Sequence, residues 1–308
     1  MFGARPARTA IVSVALLCLV AGMHLSERQI MGETAEFSRK DTLILGFTRS
    51  TFAGVHIPDA LAAMKVWASV IKKKRGLGGP VETRVFENMD AATAAVEECS
   101  VDLIILTTAE YLGIQCQKQL EPHYVHIKDG LVEEDSVLLV HRQSNISSLA
   151  DLNNKTMIFL MDTRTSVGRV WLETELIHLG FEGLRHFFSE IKDVEKSSQA
   201  VLPVFFKQKD ACYIHRSGFE TISEMNPQIK RDLKIIASSP KTIPSITCIR
   251  KGYDPEIREI LIDALGTLHL EPRGQQILML FKVDGLAPFQ RAYLKSTEDI
   301  LARFAALR

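Results

Sequence analysis

The segment Asp162-Thr163-Arg164-Thr165-Ser166-Val167-Gly168 crowds hydroxyl groups and one fixed cation into a single short turn. It follows Lys155-Thr156-Met157-Ile158-Phe159-Leu160, an apolar run of strand type. It precedes Val167, Val170, Trp171, Thr174 and Ile177, which recur on one helical face. A helix leaves its first N–H groups without intrahelical partners, and its dipole puts positive charge at that end. A strand that empties through a turn into a helix therefore makes a site suited to an anion. Thr163, Thr165 and Ser166 would add hydroxyl donors and Arg164 a positive charge, so the turn reads as half of an oxyanion-binding cleft. The competing role for Thr165 and Ser166 is helix capping, which a bound anion can replace. For Arg164 and Arg49 it is that of an ordinary exposed guanidinium.

Other motifs carry less chemistry. Glu121-Pro122-His123-Tyr124-Val125-His126 reads as a loop with solvated or structural histidines, since no fourth metal ligand is in view. Gly76-Leu77-Gly78-Gly79 follows a helix rather than a strand, which excludes a dinucleotide fingerprint. Asn145-Ile146-Ser147 and Asn154-Lys155-Thr156 fit a glycosylation triplet that arises often by chance. There is no phosphate-binding P-loop, no H-E-x-x-H and no G-x-S-x-G. No pair of titratable groups stands in an evident acid/base relation. The chain is therefore expected to be a non-enzyme without cofactor or metal.

The bulk properties agree with a two-lobed soluble body. A chain of 308 residues, 46% hydrophobic and 24% charged, can fill two cores. Lys+Arg and Asp+Glu both number 37, so no net field recruits nucleic acid or an anionic membrane. Arg5 and Arg8 precede an uncharged apolar run from Ala10 to Met23, too short for a comfortable span of roughly 20 residues. A basic region followed by such a run reads as an export signal, with an uncleaved anchor as the alternative. Residues 1–39 are thus assigned to leader and linker. Leu17 before Cys18 argues against a lipid-attachment site. Cys99, Cys116, Cys212 and Cys248 show no C-x-x-C spacing; export permits disulfides among them, and burial as small hydrophobes is the alternative.

The elements that position the turn follow from hydrophobic pattern. Thr42–Phe47 reads as a strand, and Pro58, Leu61, Met64, Ala68 and Ile71 mark a helix closed by Lys72-Lys73-Lys74-Arg75-Gly76. Val81–Phe86 reads as a strand, Ala91–Glu98 as a helix and Val101–Leu106 as a continuously apolar strand, suited to a parallel sheet covered on both faces. A short helix around Tyr111 follows. This βαβαβ order implies right-handed crossovers and a doubly wound lobe, whose ligands bind at the carboxyl ends of the strands. Phe47, Arg49, Thr107 and Thr108 occupy those ends. Ser136–His141 reads as a strand leading out of this lobe, after which the pattern begins again. Strands at 211–214, 233–236 and 245–250 and helices near 256–268, 273–281 and 297–307 complete the chain. The expected fold class is α/β, two doubly wound lobes joined by crossings near 140 and 245. Lobe 1 is 40–140 with 246–308, and lobe 2 is 141–245. Closure about a ligand needs only a few such connecting residues.

The sequence resembles the periplasmic phosphonate/phosphite-type solute-binding proteins of ABC importers, within the type 2 periplasmic-binding fold. The likeness spans roughly Leu43 to Gln290. It rests on Val101-Asp102-Leu103-Ile104 with Tyr111, on the block from Ser148 to Thr156, and on the Asp162-to-Gly168 turn. The family's turn reads roughly D-P-S-S-T-S-G and holds the phosphorus oxyanion. The resemblance implies that Thr165 and Ser166 stand at hydroxyl positions, Gly168 at the glycine and Tyr111 at the tyrosine after the third strand. Val167 and Arg164 replace hydroxyl residues of that pattern, and Lys196-Ser197-Ser198-Gln199 replaces a segment that often holds a histidine. Ser198 and, near the family's acidic positions, Tyr213 complete the implied contacts. Pro203 predicts that a helix starting at Ser198 begins later or bends.

What the resemblance implies is an exported, monomeric receptor that takes a small oxyanion between two lobes and docks on a membrane permease. The alternatives are a periplasmic domain that reports its ligand to a membrane partner, and a receptor for a sulfonate or carboxylate.

Overall fold

Leu43–Thr48 is buried along its whole length, as its uninterrupted apolar run requires. In the computed structural model, which describes residues 42–307 except 54 and 77, it is the first strand, β1. The expected leader and Cys18 lie outside the described residues.

The first sheet contains β1, β2 (Val81–Phe86), β3 (Leu103–Thr107), β4 (Leu120–Ile127), β10 (Ser245–Arg250) and β11 (Gly285–Pro288), in the order β11-β4-β10-β3-β1-β2. The second contains β5 (Ser136–His141), β6 (Thr156–Leu160), β7 (Glu190–Val194), β8 (Ala211–His215) and β9 (Leu233–Ser238), in the order β7-β6-β8-β5-β9. The two sheets share one plan. β2-β1-β3 run parallel, and β10 pairs antiparallel with β3. β7-β6-β8 likewise run parallel, and β5 pairs antiparallel with β8.

The helices are α1 (Ile57–Lys74), α2 (Met89–Glu97), α3 (Thr108–Gly113), α4 (Ser166–His178), α5 (Leu184–Phe187), α6 (Ser197–Phe205), α7 (Arg216–Met225), α8 (Pro227–Asp232), α9 (Pro255–Gly266), α10 (Pro272–Leu280) and α11 (Lys295–Ala305). Strand alternation splits the core of the first sheet. Leu43, Leu45 and Phe47 pack with Met64 and Trp67 of α1, Leu265 of α9 and Ile277 of α10. Ile44, Ile104 and Leu106 pack on the opposite face with Ala92 and Val96 of α2 and Tyr111 of α3. The second sheet is covered in the same two-sided way. α6 starts at Ser197 and takes Pro203 within its span.

Two expectations about the division of the chain are corrected. Ser136–His141 does not belong to the first sheet; it is a central strand of the second, bonded to β8 and β9. The crossing therefore lies before Ser136, because a strand buried on both faces must sit inside a sheet. The C-terminal residues also return to the second half. Ile300 of α11 enters the core cluster of Trp171 and Leu172 on α4, and Arg303 Nη2 meets Glu175 Oε1 at 2.9 Å. The two segments that run between the sheets are themselves paired: Glu134 and Thr242 exchange N–H···O bonds of 3.0 Å in both directions.

Cys116, Cys212 and Cys248 are buried free thiols and Cys99 is an exposed one. No disulfide joins these four, because three of them serve as small apolar core residues.

Candidate functional site

The carboxyl ends of the parallel strands in the two sheets face one another. β1 runs into the turn Arg49–Phe52, and β6 runs through Asp162 into the turn Thr163–Thr165 that opens α4. These turns touch: Thr163 Oγ1 donates to Ser50 O at 3.4 Å. Beside this contact lies a narrow, partly open cleft. Thr51, Ala53 and Val55 line it from the first turn, and Asp162, Thr163 and Arg164 from the second. His126, Lys128, Glu134 and Thr242 come from β4 and the crossings, and Phe281, Lys282 and Val283 from the end of α10.

The turn at α4 carries its own anion. The Asp162 carboxylate accepts from Arg164 N at 2.9 Å and from Arg164 Nη2 at 3.0 Å. The same guanidinium reaches Glu134 Oε2 at 3.4 Å and lies 2.8 Å from His215 Nε2. Ser217 N donates to Glu134 Oε1 at 2.8 Å. Burial alone would push the Glu134 carboxyl up, but His215, the Ser217 hydrogen bond and the Arg164 charge outweigh it and hold the group at about 2. Asp162 is lowered in the same way: burial opposes ionisation, and Arg164 more than offsets it. Arg164 thus arrives with two internal carboxylates. Its guanidinium braces the cleft floor, where the sequence alone suggests a charge free to meet a ligand.

The predicted contact residues take different places. Thr163 and Arg164 line the cleft. Thr165 Oγ1 bonds Leu160 O at 2.7 Å and accepts from Asp162 N at 3.3 Å, and Ser166 Oγ bonds Thr163 O at 2.8 Å. Both hydroxyls therefore donate to backbone carbonyls, of Leu160 and Thr163, and keep their hydrogen bonds within this segment. Phe47 is 0% exposed, stacked with Phe52 and Phe281 at centroid distances of 5.4 and 6.0 Å. Alternation along β1 turns it into the helical face of the sheet and away from the cleft. Thr107 caps α3 by accepting from Glu110 N, and Thr108 Oγ1 donates to Ile243 O at 2.6 Å. Tyr111 is buried in the core beneath α3. Arg49 is exposed and paired with Glu87 at 3.2 Å, outside the cleft, and Ser198 is exposed on α6.

Tyr213 is also fully buried, its ring against Phe159. Its hydroxyl explains Gly168: a Cβ there would stand 2.3 Å from Tyr213 Oη and 2.8 Å from Ser136 Oγ. That glycine is required by the close approach of α4 to β8 and β5.

Several lining residues escape the sequence. His126 belongs to β4 and Lys128 follows its last residue; the pattern of β4 reads as a loop because Pro122 and two histidines interrupt it. β4 is irregular opposite Thr247 and Cys248, and neither His123 nor His126 belongs to a group of three or more possible metal ligands among the described residues. The run Tyr124-Val125-His126-Ile127 held the signal, with an apolar residue on each face.

A family model described as ABC transporter, phosphonate, periplasmic substrate-binding protein matches residues 58–294. The chain is similar to XAC2383 from Xanthomonas citri bound to ATP, at 18% identity and a TM-score of 0.61, covering 87% of this chain and 98% of that one. It is similar to PhnD1 from Prochlorococcus marinus in complex with methylphosphonate, at 17% identity and a TM-score of 0.55, covering 86% of this chain and 99% of that one. A TctC solute binding protein from Polaromonas gives 12% and 0.52, covering 86% and 97%. No curated protein matches the sequence. At these identities the likeness establishes the fold, the type 2 periplasmic-binding architecture.

Proposed function

Since the chain belongs to the periplasmic substrate-binding proteins of phosphonate ABC transporters, a family of receptors and not of enzymes, we propose that it captures a small phosphonate-, phosphite- or phosphate-like anion between two lobes. It then presents the closed complex to a membrane permease. One lobe is the first sheet with α1–α3, α9 and α10; the other is the second sheet with α4–α8 and α11. Residues 1–39 carry the chain out of the cytoplasm.

The observation that carries this reading is the cleft where the carboxyl ends of both sheets meet, bounded by the Thr163–Ser50 contact. Ligands of open α/β sheets bind at such ends. Lys128, Arg164 and Lys282 line it; Arg164 is paired with Asp162 and Glu134, and Lys128 with Asp129 and Asp284, which leaves Lys282 as the lining cation to meet an anion. Thr51, Thr163 and Thr242 add hydroxyls. Closure about the paired crossings at Glu134 and Thr242 would strip water from the anion, where charge-assisted hydrogen bonds strengthen.

The test is a thermal-shift panel of methylphosphonate, phosphite, phosphate, alkylsulfonates and carboxylates on the purified protein. A ligand at a hundred times its dissociation constant stabilises by about 2.7 kcal/mol. A phosphorus oxyanion that raises the melting temperature supports the reading. A panel in which only carboxylates or sulfonates do so replaces it.

A further inference from the structure

The cations of the cleft are unequally occupied, and the difference decides what kind of anion fits there. Lys128 Nζ is paired with Asp129 at 3.3 Å and with Asp284 at 2.9 Å. Arg164 is held by Glu134 at 3.4 Å and by Asp162 at 3.0 Å. Lys282 is the one lining cation with no carboxylate partner among the described residues. His126 also lines the cleft, with Nδ1 bonded to Ser245 Oγ at 2.8 Å. Burial keeps its ring neutral down to about 4, so it adds no charge at neutral pH.

The four carboxylates do not weigh equally. Asp129 and Asp284 are about half exposed, and solvent screens them. Asp162 and Glu134 line the cleft itself, with side chains 20% and 12% exposed. Asp162 gives one oxygen to Arg164 N at 2.9 Å and the other to Arg164 Nη2 at 3.0 Å. Glu134 Oε1 accepts from Ser217 N at 2.8 Å, and His215 Nδ1 on β8 stands 3.4 Å behind it. Glu134 Oε2 has only the long contact of 3.4 Å with Arg164 Nη1 among the described residues. Burial opposes ionisation of Glu134, but His215, the Ser217 hydrogen bond and Arg164 hold it at about 2. An ionised carboxylate only accepts hydrogen bonds, so Glu134 Oε2 has room for a donor and nothing to offer a bare anionic oxygen.

A ligand in this cleft therefore meets one unpaired cation and one under-occupied acceptor. A dianion would set two charges against Lys282 alone while Glu134 repels it. A monoanion that keeps one acidic proton satisfies both groups. The second ionisation of a phosphoryl group lies near neutrality, about 6 in a phosphate monoester, so both forms are present to choose between.

We propose that the cleft takes its oxyanion as a singly charged, still protonated acid: the P–OH group donates to Glu134 Oε2, and the ionised oxygens meet Lys282. This rests on the reading of the chain as a receptor for a phosphorus oxyanion and specifies the form it binds. Sulfonates carry the same single charge without the proton and are turned away.

Calorimetric titration of the unaltered protein at pH 6 with methylphosphonate, its methyl monoester and methanesulfonate tests the proposal. The last two are monoanions without an acidic proton, and methylphosphonate is expected to bind at least tenfold more tightly than either. Between pH 6 and 9, methylphosphonate affinity should fall by about tenfold per unit once the ligand loses its second proton. Chloromethylphosphonate loses that proton at lower pH, and its fall should be displaced to match. A fall at one pH for both ligands belongs to a protein group such as His215 and overturns the proposal. In Glu134→Gln, whose amide can donate, the preference for methylphosphonate over methanesulfonate should shrink to within threefold. A preference that survives there but vanishes in Asp162→Asn moves the acceptor away from Glu134. Equal affinity for the three ligands, or affinity that rises with pH, overturns the protonated form while the receptor stands. If no phosphorus oxyanion binds at any pH, the receptor reading falls with it.

Discussion

Arg164→Met separates a cation that braces the cleft from one that binds the ligand. In the structure its guanidinium holds Asp162 and Glu134, with side chains 16%, 20% and 12% exposed respectively. Removing one partner of a buried ion pair costs about 3–5 kcal/mol, because the other charges stay behind unpaired. Partial exposure lets water relieve some of this, which places the expected loss near the low end, about 3 kcal/mol. For a domain of this size, that corresponds to a fall in melting temperature of about 6–12 °C. Arg164→Met combined with Glu134→Gln should recover part of the loss, since the double variant removes one stranded carboxylate.

Acid titration gives a second readout of the same network. Glu134 is held at about 2 against an ordinary value of 4.5. A carboxyl lowered in the folded state contributes its full stability above its unfolded value. That contribution drains away as pH falls from about 4.5 towards 2. In Arg164→Met, His215 and Ser217 still hold Glu134, so the acid limb should move to higher pH without vanishing. Thermal melts from pH 2 to 7, with titration of methylphosphonate at pH 7, measure both effects. A variant with an unchanged melting temperature but lost affinity would show the guanidinium facing the ligand instead.

The remaining expectations concern the frame around the cleft. Gly168→Ala should destabilise by about 1–3 kcal/mol despite the better helix propensity of alanine, because the new methyl overlaps Tyr213 Oη; denaturant melts would reveal it, and a gain in stability would contradict the packing. Of Cys99, Cys116, Cys212 and Cys248, a thiol reagent should label only Cys99 in the native state, since the others are buried and burial raises the Cys212 and Cys248 thiols far above their usual range. Mass mapping of the labelled peptides checks this. The His126 imidazole should titrate near 4 by NMR, well below its ordinary 6.5; a midpoint near 6.5 would place it in open water.

The architecture is legible in the sequence because each central parallel strand is an apolar run bounded by a recognisable helix start. Leu43–Thr48, Leu103–Thr107, Thr156–Leu160 and Ala211–His215 are all of this kind. The edge strand β7 is not: it reads Glu190-Ile191-Lys192-Asp193-Val194, mostly exposed, and carries too little apolar signal to separate it from a loop. The division of the chain is hidden for another reason. Ser136–His141 has the composition of a central strand, but which sheet it joins depends on pairing with β8 and β9, a long-range choice that local pattern does not encode.

The turn at 162–166 is legible in the sequence as a strand-to-helix turn, and its charge balance is not. Sequence proximity put Arg164 beside hydroxyls and made it look free, while Glu134, the residue that occupies it, sits thirty positions away on a crossing. That same residue pairs its backbone with Thr242 on the other crossing. One side chain therefore links the strip about which the proposed closure would turn to the floor of the cleft. Rotation at Glu134 must carry its carboxylate, and with it the guanidinium of Arg164, relative to Ser50 and Thr51 across the opening. A bound head group that favours one position of Arg164 consequently favours one angle between the sheets. Glu134→Gln keeps the backbone pair and loses the charged link, so it should loosen the coupling between ligand binding and closure. Small-angle scattering with and without methylphosphonate would register this as a smaller ligand-induced contraction than in the unaltered protein. An equal contraction would assign closure to the Thr163–Ser50 contact alone.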